Sequence, residues 1–267
     1  MCDKYENRDC HKRIVELLSV VDDVCKQYGI KYSLHGGTLL GAVRNGRLIP
    51  WDDDADISMM RSEINKLIKI EKENGLPFEI GRSEMAPWLT EFSKVCADGT
   101  KESIDVFIWD YISESITQQG VKINTLRFLQ GMLKRKIDYS TYSAAEKALV
   151  FVTHIAGLPF TEKYKLKIYD RVSAHFLTGK KLNIHRTNDS YTGVSYIFDS
   201  DYMGQFTTIL LEGREYMVAK RYVEFLVRSY GDNYLIPPPE ADRKPTHDHN
   251  KKFLPESERG GLFTVRR

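Results

Sequence analysis

The chain has 267 residues, 42% hydrophobic and 28% charged, with a net charge of +2 that gives no whole-molecule attraction to nucleic acid. That length supports a sizeable core, as one large domain or a core with a smaller subdomain. No run of 18 apolar residues marks a membrane span, the N-terminus MCDKYENRDC has no apolar signal region, and Cys2, Cys10, Cys25 and Cys96 show no metal or redox spacing, so a cytoplasmic protein with reduced thiols is expected.

Residues 11–28 carry Ile14, Leu17, Leu18, Val21, Val24 and Cys25 at helical spacing, and Gly29 supplies a C-terminal stop. IKYSLH (30–35) reads as a strand ending at Gly36-Gly37, followed by a short helix over Thr38–Val43. Arg47 to Pro50 forms a turn, and a second strand runs from Asp54 to Met59. A helix over Ser62–Asn74 follows, with Ser62 as N-cap and Gly75 as terminator. FEIG (78–81), LTEFSKVCA (89–97) and SIDVFIWDYI (103–112) read as further strands, which makes the front part mixed α/β.

The middle, about 120–182, is helical by pattern. Residues 120–186 hold 13 Lys and Arg against four acids, a net of +9, so the remainder carries −7. Val121, Leu126, Leu129, Met132 and Leu133 form an apolar stripe opposed by Lys122, Arg127, Lys134, Arg135 and Lys136. Such a basic amphipathic helix near 121–137 either lies on an anionic membrane surface or packs on the core with a basic outer face. Beyond it come a mixed stretch around VSYIF (194–198), a helix near Ala219–Tyr230 and a Pro-rich tail. These boundaries suggest a catalytic core over 1–119, a basic helical region over 120–186 and a C-terminal region over 187–267 that completes the substrate site.

The chemistry concentrates in GGTLLGAVRNGRLIPWDDDADI (36–57). Gly36 and Gly37 end a strand before a helix, where backbone amides can approach a phosphate closely. In a strand, Asp54 and Asp56 share a face, Asp53 points away, and Asp52 shares their parity but sits by the Pro50-Trp51 turn. Carboxylates held side by side repel unless a cation lies between them, and oxygen ligands of this kind suit Mg²⁺ or Mn²⁺. Asp105, flanked by Ile104 and Val106, is a costly acid among apolar neighbours unless it is paired or ligating. If its strand lies beside that of Asp54 and Asp56, the three carboxylates converge. Two other readings use the same acids. A calcium loop would take Asp52, Asp54, Asp56 and Glu63, but Ile57 stands where that loop needs glycine. A DxD glycosyltransferase site would follow a longer nucleotide-binding region than precedes these acids.

The segment YSLHGGTLLGAVRNGRLIPWDDDADI, with FSKV…DGTKESIDVFIWD (92–110) and YGDNYLIPPPEADRK (230–244), resembles the LicD family of the nucleotidyltransferase superfamily. The resemblance implies a nucleotidyltransferase-like mixed sheet flanked by helices, an α/β (α+β) fold with a helical insertion. It implies transfer of phosphocholine, or ribitol or glycerol phosphate, from a CDP-activated donor to a sugar of a lipid-linked cell-surface glycan precursor. It puts the family's turn and acids on Gly36, Gly37, Asp54, Asp56 and Asp105, with Mg²⁺ on the three acids and Thr38 at the turn. Within the resembling motifs, Arg44, Lys94 and Arg243 are expected to contact phosphate. A quaternary ammonium is recognised by aromatic faces, for which Trp51, Trp88, Trp109, Tyr196, Tyr202 and Tyr230 are candidates. His35 reads as a satisfied strand residue, and His247-Asp-His249 as solvated or substrate-proximal. Complete acids argue against a non-catalytic binding module.

Overall fold

The computed structural model describes residues 8–96, 99–135, 137, 144–240 and 243. The mixed α/β architecture expected from the sequence is what the chain adopts: one mixed sheet of seven strands flanked by helices, with a separate two-stranded hairpin. The first helix, α1 (Arg8–Tyr28), is followed by Gly29 at φ 65°. A short strand β1 (Ser33–Leu34) leads into α2 (Gly36–Asn45), and β2 (Asp56–Met60) runs straight into α3 (Arg61–Asn74). Because no loop separates β2 from α3, Met60 occupies the N-cap and Ser62 falls inside the helix, correcting the expected cap; Gly75 does terminate it.

Three strands complete the front of the sheet: β3 (Glu79–Arg82), β4 (Thr90–Val95) and the long β5 (Lys101–Ile112). Strand β5 is the axis of the molecule. It pairs in parallel with β2, setting Asp56 opposite Asp105. Its other edge is shared, the first half antiparallel to β4 and the second half antiparallel to β6 (Asn183–Arg186). Alternation along β5 divides the work. Ile104, Val106 and Ile108 are buried in a core with Ile14, Leu18 and Val21 of α1, while Asp105 and Phe107 turn to the other face.

The middle is helical, as its pattern predicts: α4 (Ile116–Leu133), α5 (Ala144–Gly157) and α6 (Glu162–His175). The faces of α4 differ from expectation. Val121 is 48% exposed, whereas Lys122 is fully buried and its Nζ donates to the carbonyls of Tyr111 and Ser173 at 2.8 Å each. Leu126, Leu129, Met132 and Leu133 pack with Trp88 and Tyr169 into a second apolar cluster. Arg135 is bound to Glu162, and Lys136 lies outside the described residues. Helix α4 is therefore a packed helix crossed by a buried lysine, not one with a continuous basic face.

The C-terminal part adds β7 (Ile197–Asp199), the hairpin β8 (Phe206–Leu211) and β9 (Arg214–Ala219), and α7 (Tyr222–Tyr230). Leu211, Tyr216, Val218, Ala219, Phe225 and Leu226 join the core that holds α1 and β5. The boundary drawn at residue 120 thus falls inside α4, and the strand at 183–186 belongs to the front sheet. Among the described residues no helix is long and apolar enough to cross a membrane.

Candidate active site

Two strand-borne carboxylates, Asp56 and Asp105, come together with Asp54, which precedes β2 rather than lying in it as expected. Asp56 and Asp105 are in register on the parallel pair β2–β5, so their side chains leave the same face, and Asp54 lies two residues upstream. The Asp105 amide donates to the Ala55 carbonyl at 2.9 Å, which carries the pairing back towards Asp54. Each of the three acids offers an oxygen within 4.8 Å of the others. Burial, then the charges of Asp54, Asp105 and Asp52, push the Asp56 carboxyl well above the usual carboxylate range. Asp52 is raised likewise, by burial and by Asp54, with which it shares a carboxyl–carboxyl hydrogen bond. Repulsion of this kind is the demand a divalent cation would meet, so this donor set fits Mg²⁺ or Mn²⁺.

The Gly-Gly turn is built around these acids. Gly36 has φ +52°, and a Cβ there would overlap the Asp56 carboxylate; a Cβ on Gly37 would overlap that of Asp52. The Gly37 amide donates to Asp56 Oδ2 at 3.2 Å, and the Asp56 amide donates to Thr38 Oγ1 at 2.8 Å. Thr38 is buried and fixes the backbone of Asp56. Asp53 is buried, and its backbone carbonyl accepts from Cys10 Sγ. The calcium-loop alternative fails on geometry: Ile57 is paired in β2, and Glu63 of α3 accepts from the Lys31 amide and Lys66 Nζ.

A cavity of about 650 Å³ opens over the acids, lined by Gly37, Asp52, Asp54 and Asp56 on one side and by Tyr230, Asn233, Tyr234, Ile236 and Pro238 on the other. Arg44 also lines it, donating from Nε and Nη2 to the carbonyls of Tyr234 and Ile236 at 2.7 and 3.1 Å. Burial lowers the Arg44 pKa. Tyr230, 43% exposed, lies close enough to Asp56 and Asp52 for their charges to raise its phenol above the usual range. Trp51 lines the same cavity, and the Arg243 guanidinium lies 5.1 Å from its ring centroid while Nε donates to the Pro238 carbonyl. Arg243 therefore covers one face of the tryptophan expected to meet a quaternary ammonium.

Other expected residues lie elsewhere. Lys94 pairs with Glu102 across β4–β5, on the face opposite Asp105, and its Nζ lies 3.7 Å from Glu16 of α1. Strand parity removes it from the acid site. Trp88, Trp109 and Tyr202 are buried in apolar clusters, leaving Tyr196 half-buried. His35 is buried, its pKa held well below normal by burial and by Arg186, whose Nη1 donates to Nε2 at 2.5 Å. That buried Arg186, also ion-paired to Asp189 at 3.0 Å, was not expected from sequence, because the four-residue β6 has no periodicity to announce it. Glu91, in register with Asp105 on β4, was missed too, although β4 itself was foreseen. His247 and His249 lie outside the described residues.

Residues 29–128 match the family described as LicD/FKTN/FKRP, nucleotidyltransferase domain. The lipopolysaccharide cholinephosphotransferase LicD of Haemophilus influenzae is 28% identical over 268 residues, covering 87% of this chain and 92% of that protein. The ribitol 5-phosphate transferase FKRP of Homo sapiens is 38% identical over 55 residues, which cover 21% of this chain and 11% of that protein. The solved structure of an antigenic nucleotidyltransferase-like protein from Paracoccidioides brasiliensis aligns with 61% of this chain and 86% of its own, at 12% identity and a TM-score of 0.27. That overlap is too loose to bear on the site.

Proposed function

The chain carries a LicD-family nucleotidyltransferase domain, and from that premise we propose that it transfers phosphocholine from CDP-choline to a sugar hydroxyl of a cell-surface glycan precursor, releasing CMP. The observation that carries this reading is the convergence of Asp54, Asp56 and Asp105 beside the Gly36-Gly37 turn, with Asp54 and Asp56 lining a cavity of nucleotide size. The named activity of the H. influenzae relative supports the choice of choline.

In this reading Asp54, Asp56 and Asp105 hold Mg²⁺ or Mn²⁺, which when bound offsets phosphate charge. The sugar oxygen forms a bond to the choline-bearing phosphorus as the bond from that phosphorus to the bridging oxygen breaks, and CMP departs with that oxygen. The hydroxyl proton passes to a carboxylate, for which Asp105 is the candidate. Little covalent work falls to the chain; positioning by the turn and the cavity walls does most of it. Arg44, half-sunk in the cavity wall, is the candidate phosphate contact. Tyr230 and Tyr234 offer aromatic surface to the choline head, and the acid-rich floor favours its positive charge.

Transfer of ribitol phosphate from its own CDP donor is the second reading, favoured by the local match to FKRP. Incubation with CDP-choline or CDP-ribitol, Mg²⁺ and candidate glycan precursors, followed by product identification, separates the two. CMP and a phosphocholine-bearing glycan are expected. Pyrophosphate released from CTP, or wild-type transfer by Asp54→Ala, would overturn the proposal.

A further inference from the structure

Helix α5 is turned inside out relative to an ordinary surface helix. Its inner face meets α4 through small contacts: a Cβ on Gly131 would overlap Thr153, and one on Gly157 would press on the backbone of Met132. Its larger apolar side chains face outward instead. Leu149, Phe151, Val152 and Ile155 are 47%, 54%, 58% and 47% exposed, and the row continues into Leu158 and Phe160. A helix on a water-facing surface presents the opposite pattern, with polar residues outward.

The apolar row runs into a cationic one. Phe160 stacks on Tyr164 of α6, ring centroids 5.5 Å apart, and Lys163, Lys167 and Arg171 are exposed along that helix. Both acids of α6 are already engaged by arginines from elsewhere, Glu162 by Arg135 and Asp170 by Arg82. The positive charge of α6 is therefore not cancelled by its own carboxylates. A second copy of this face would bring like charges together, whereas an anionic surface would match them.

We propose that the outer face of α5, with the exposed cations of α6, docks on an anionic lipid bilayer. The apolar row enters the boundary between headgroups and acyl chains, and Lys163, Lys167 and Arg171 meet lipid phosphates. The proposal moves membrane contact from α4, whose Lys122 is buried, to the next two helices, and it stands whichever phospho-alcohol is transferred.

The test is co-sedimentation of the full chain with vesicles of phosphatidylcholine alone or mixed with phosphatidylglycerol. Wild type is expected to pellet with the anionic vesicles and to remain largely in solution with the neutral ones. Phe151→Asp with Ile155→Asp should abolish pelleting, and Lys163→Gln and Lys167→Gln should each weaken it about fivefold. All four positions are exposed, and an unchanged circular dichroism spectrum will separate lost docking from lost fold. Wild type staying in solution with anionic vesicles, or the double aspartate variant pelleting like wild type, would overturn the proposal. So would a concentration-dependent dimer in sedimentation velocity that Phe151→Asp dissolves, since the face would then belong to a second copy.

Discussion

At Asp56 the demands of folding and of chemistry conflict. Its carboxyl is raised by burial and by three neighbouring carboxylates, so the folded chain holds a proton there that the unfolded chain releases. Without a divalent cation, this contribution is fully present below the ordinary carboxylate pKa and is lost as pH rises through the raised one. Asp56→Asn keeps an acceptor for the Gly37 amide and removes the charge. In EDTA at neutral pH it should gain about 1 kcal/mol over wild type, while transfer falls by at least about 10²-fold. Thermal melts check the first half: Mg²⁺ should raise the wild-type midpoint and leave that of Asp56→Asn nearly unmoved. A variant that melts below wild type in EDTA would show that the acids are not in conflict. The facing of Asp56 and Asp105 was legible once their strands are taken as neighbours, whereas Asp54 lies ahead of β2, where alternation does not apply. Alternation excludes Lys94 once the β4–β5 register is known, but a register is a property of two strands and neither sequence contains it.

Helix α4 shows how an element's pattern can mislead. Lys122 lies between Val121 and Ile123 in a segment dense with cations, and a lysine there ordinarily faces water. It is buried because its ammonium bridges two carbonyls, of Tyr111 on β5 and Ser173 on α6. Burial, only partly offset by Asp110, lowers its pKa to about 8. The unfolded lysine titrates near its usual value, so between those two pH values the unfolded chain binds the extra proton. Wild-type stability should therefore rise relative to Lys122→Met from pH 8 to 10, by at most about 3 kcal/mol. Denaturant melts of both proteins across that range measure the difference, and a constant difference would mean the ammonium is not desolvated. The β8–β9 hairpin escaped the sequence reading for another reason. Its turn uses Glu212 and Gly213, both at positive φ, and glutamate is a weaker turn signal than asparagine or aspartate.

Over the whole molecule, sequence order and structural order part company. The core around β5 takes residues from Cys10 to Leu226, and β6 closes an edge of that strand from the far side of the helical region. A fragment ending at residue 119 would expose the apolar surface that Ile184, Phe198, Tyr216 and Phe225 cover. It should show no cooperative thermal transition, and a sharp transition in that fragment would make the front part an independent folding unit. The turn and most of the acids lie in one short stretch, and the far cavity wall is supplied by residues some 190 positions later. These fall within the 230–244 segment, whose resemblance points to Tyr230 but not to Tyr234 or Ile236. Arg44 fastens that wall by gripping the carbonyls of Tyr234 and Ile236. Biosynthesis gives this arrangement a meaning of its own. While residues 230–238 are still within the ribosome, the emerging chain has its acids but no enclosure, so it has no means of holding a donor. A message cut short before Tyr230 would encode an inert product, and activity would report that translation had passed this wall.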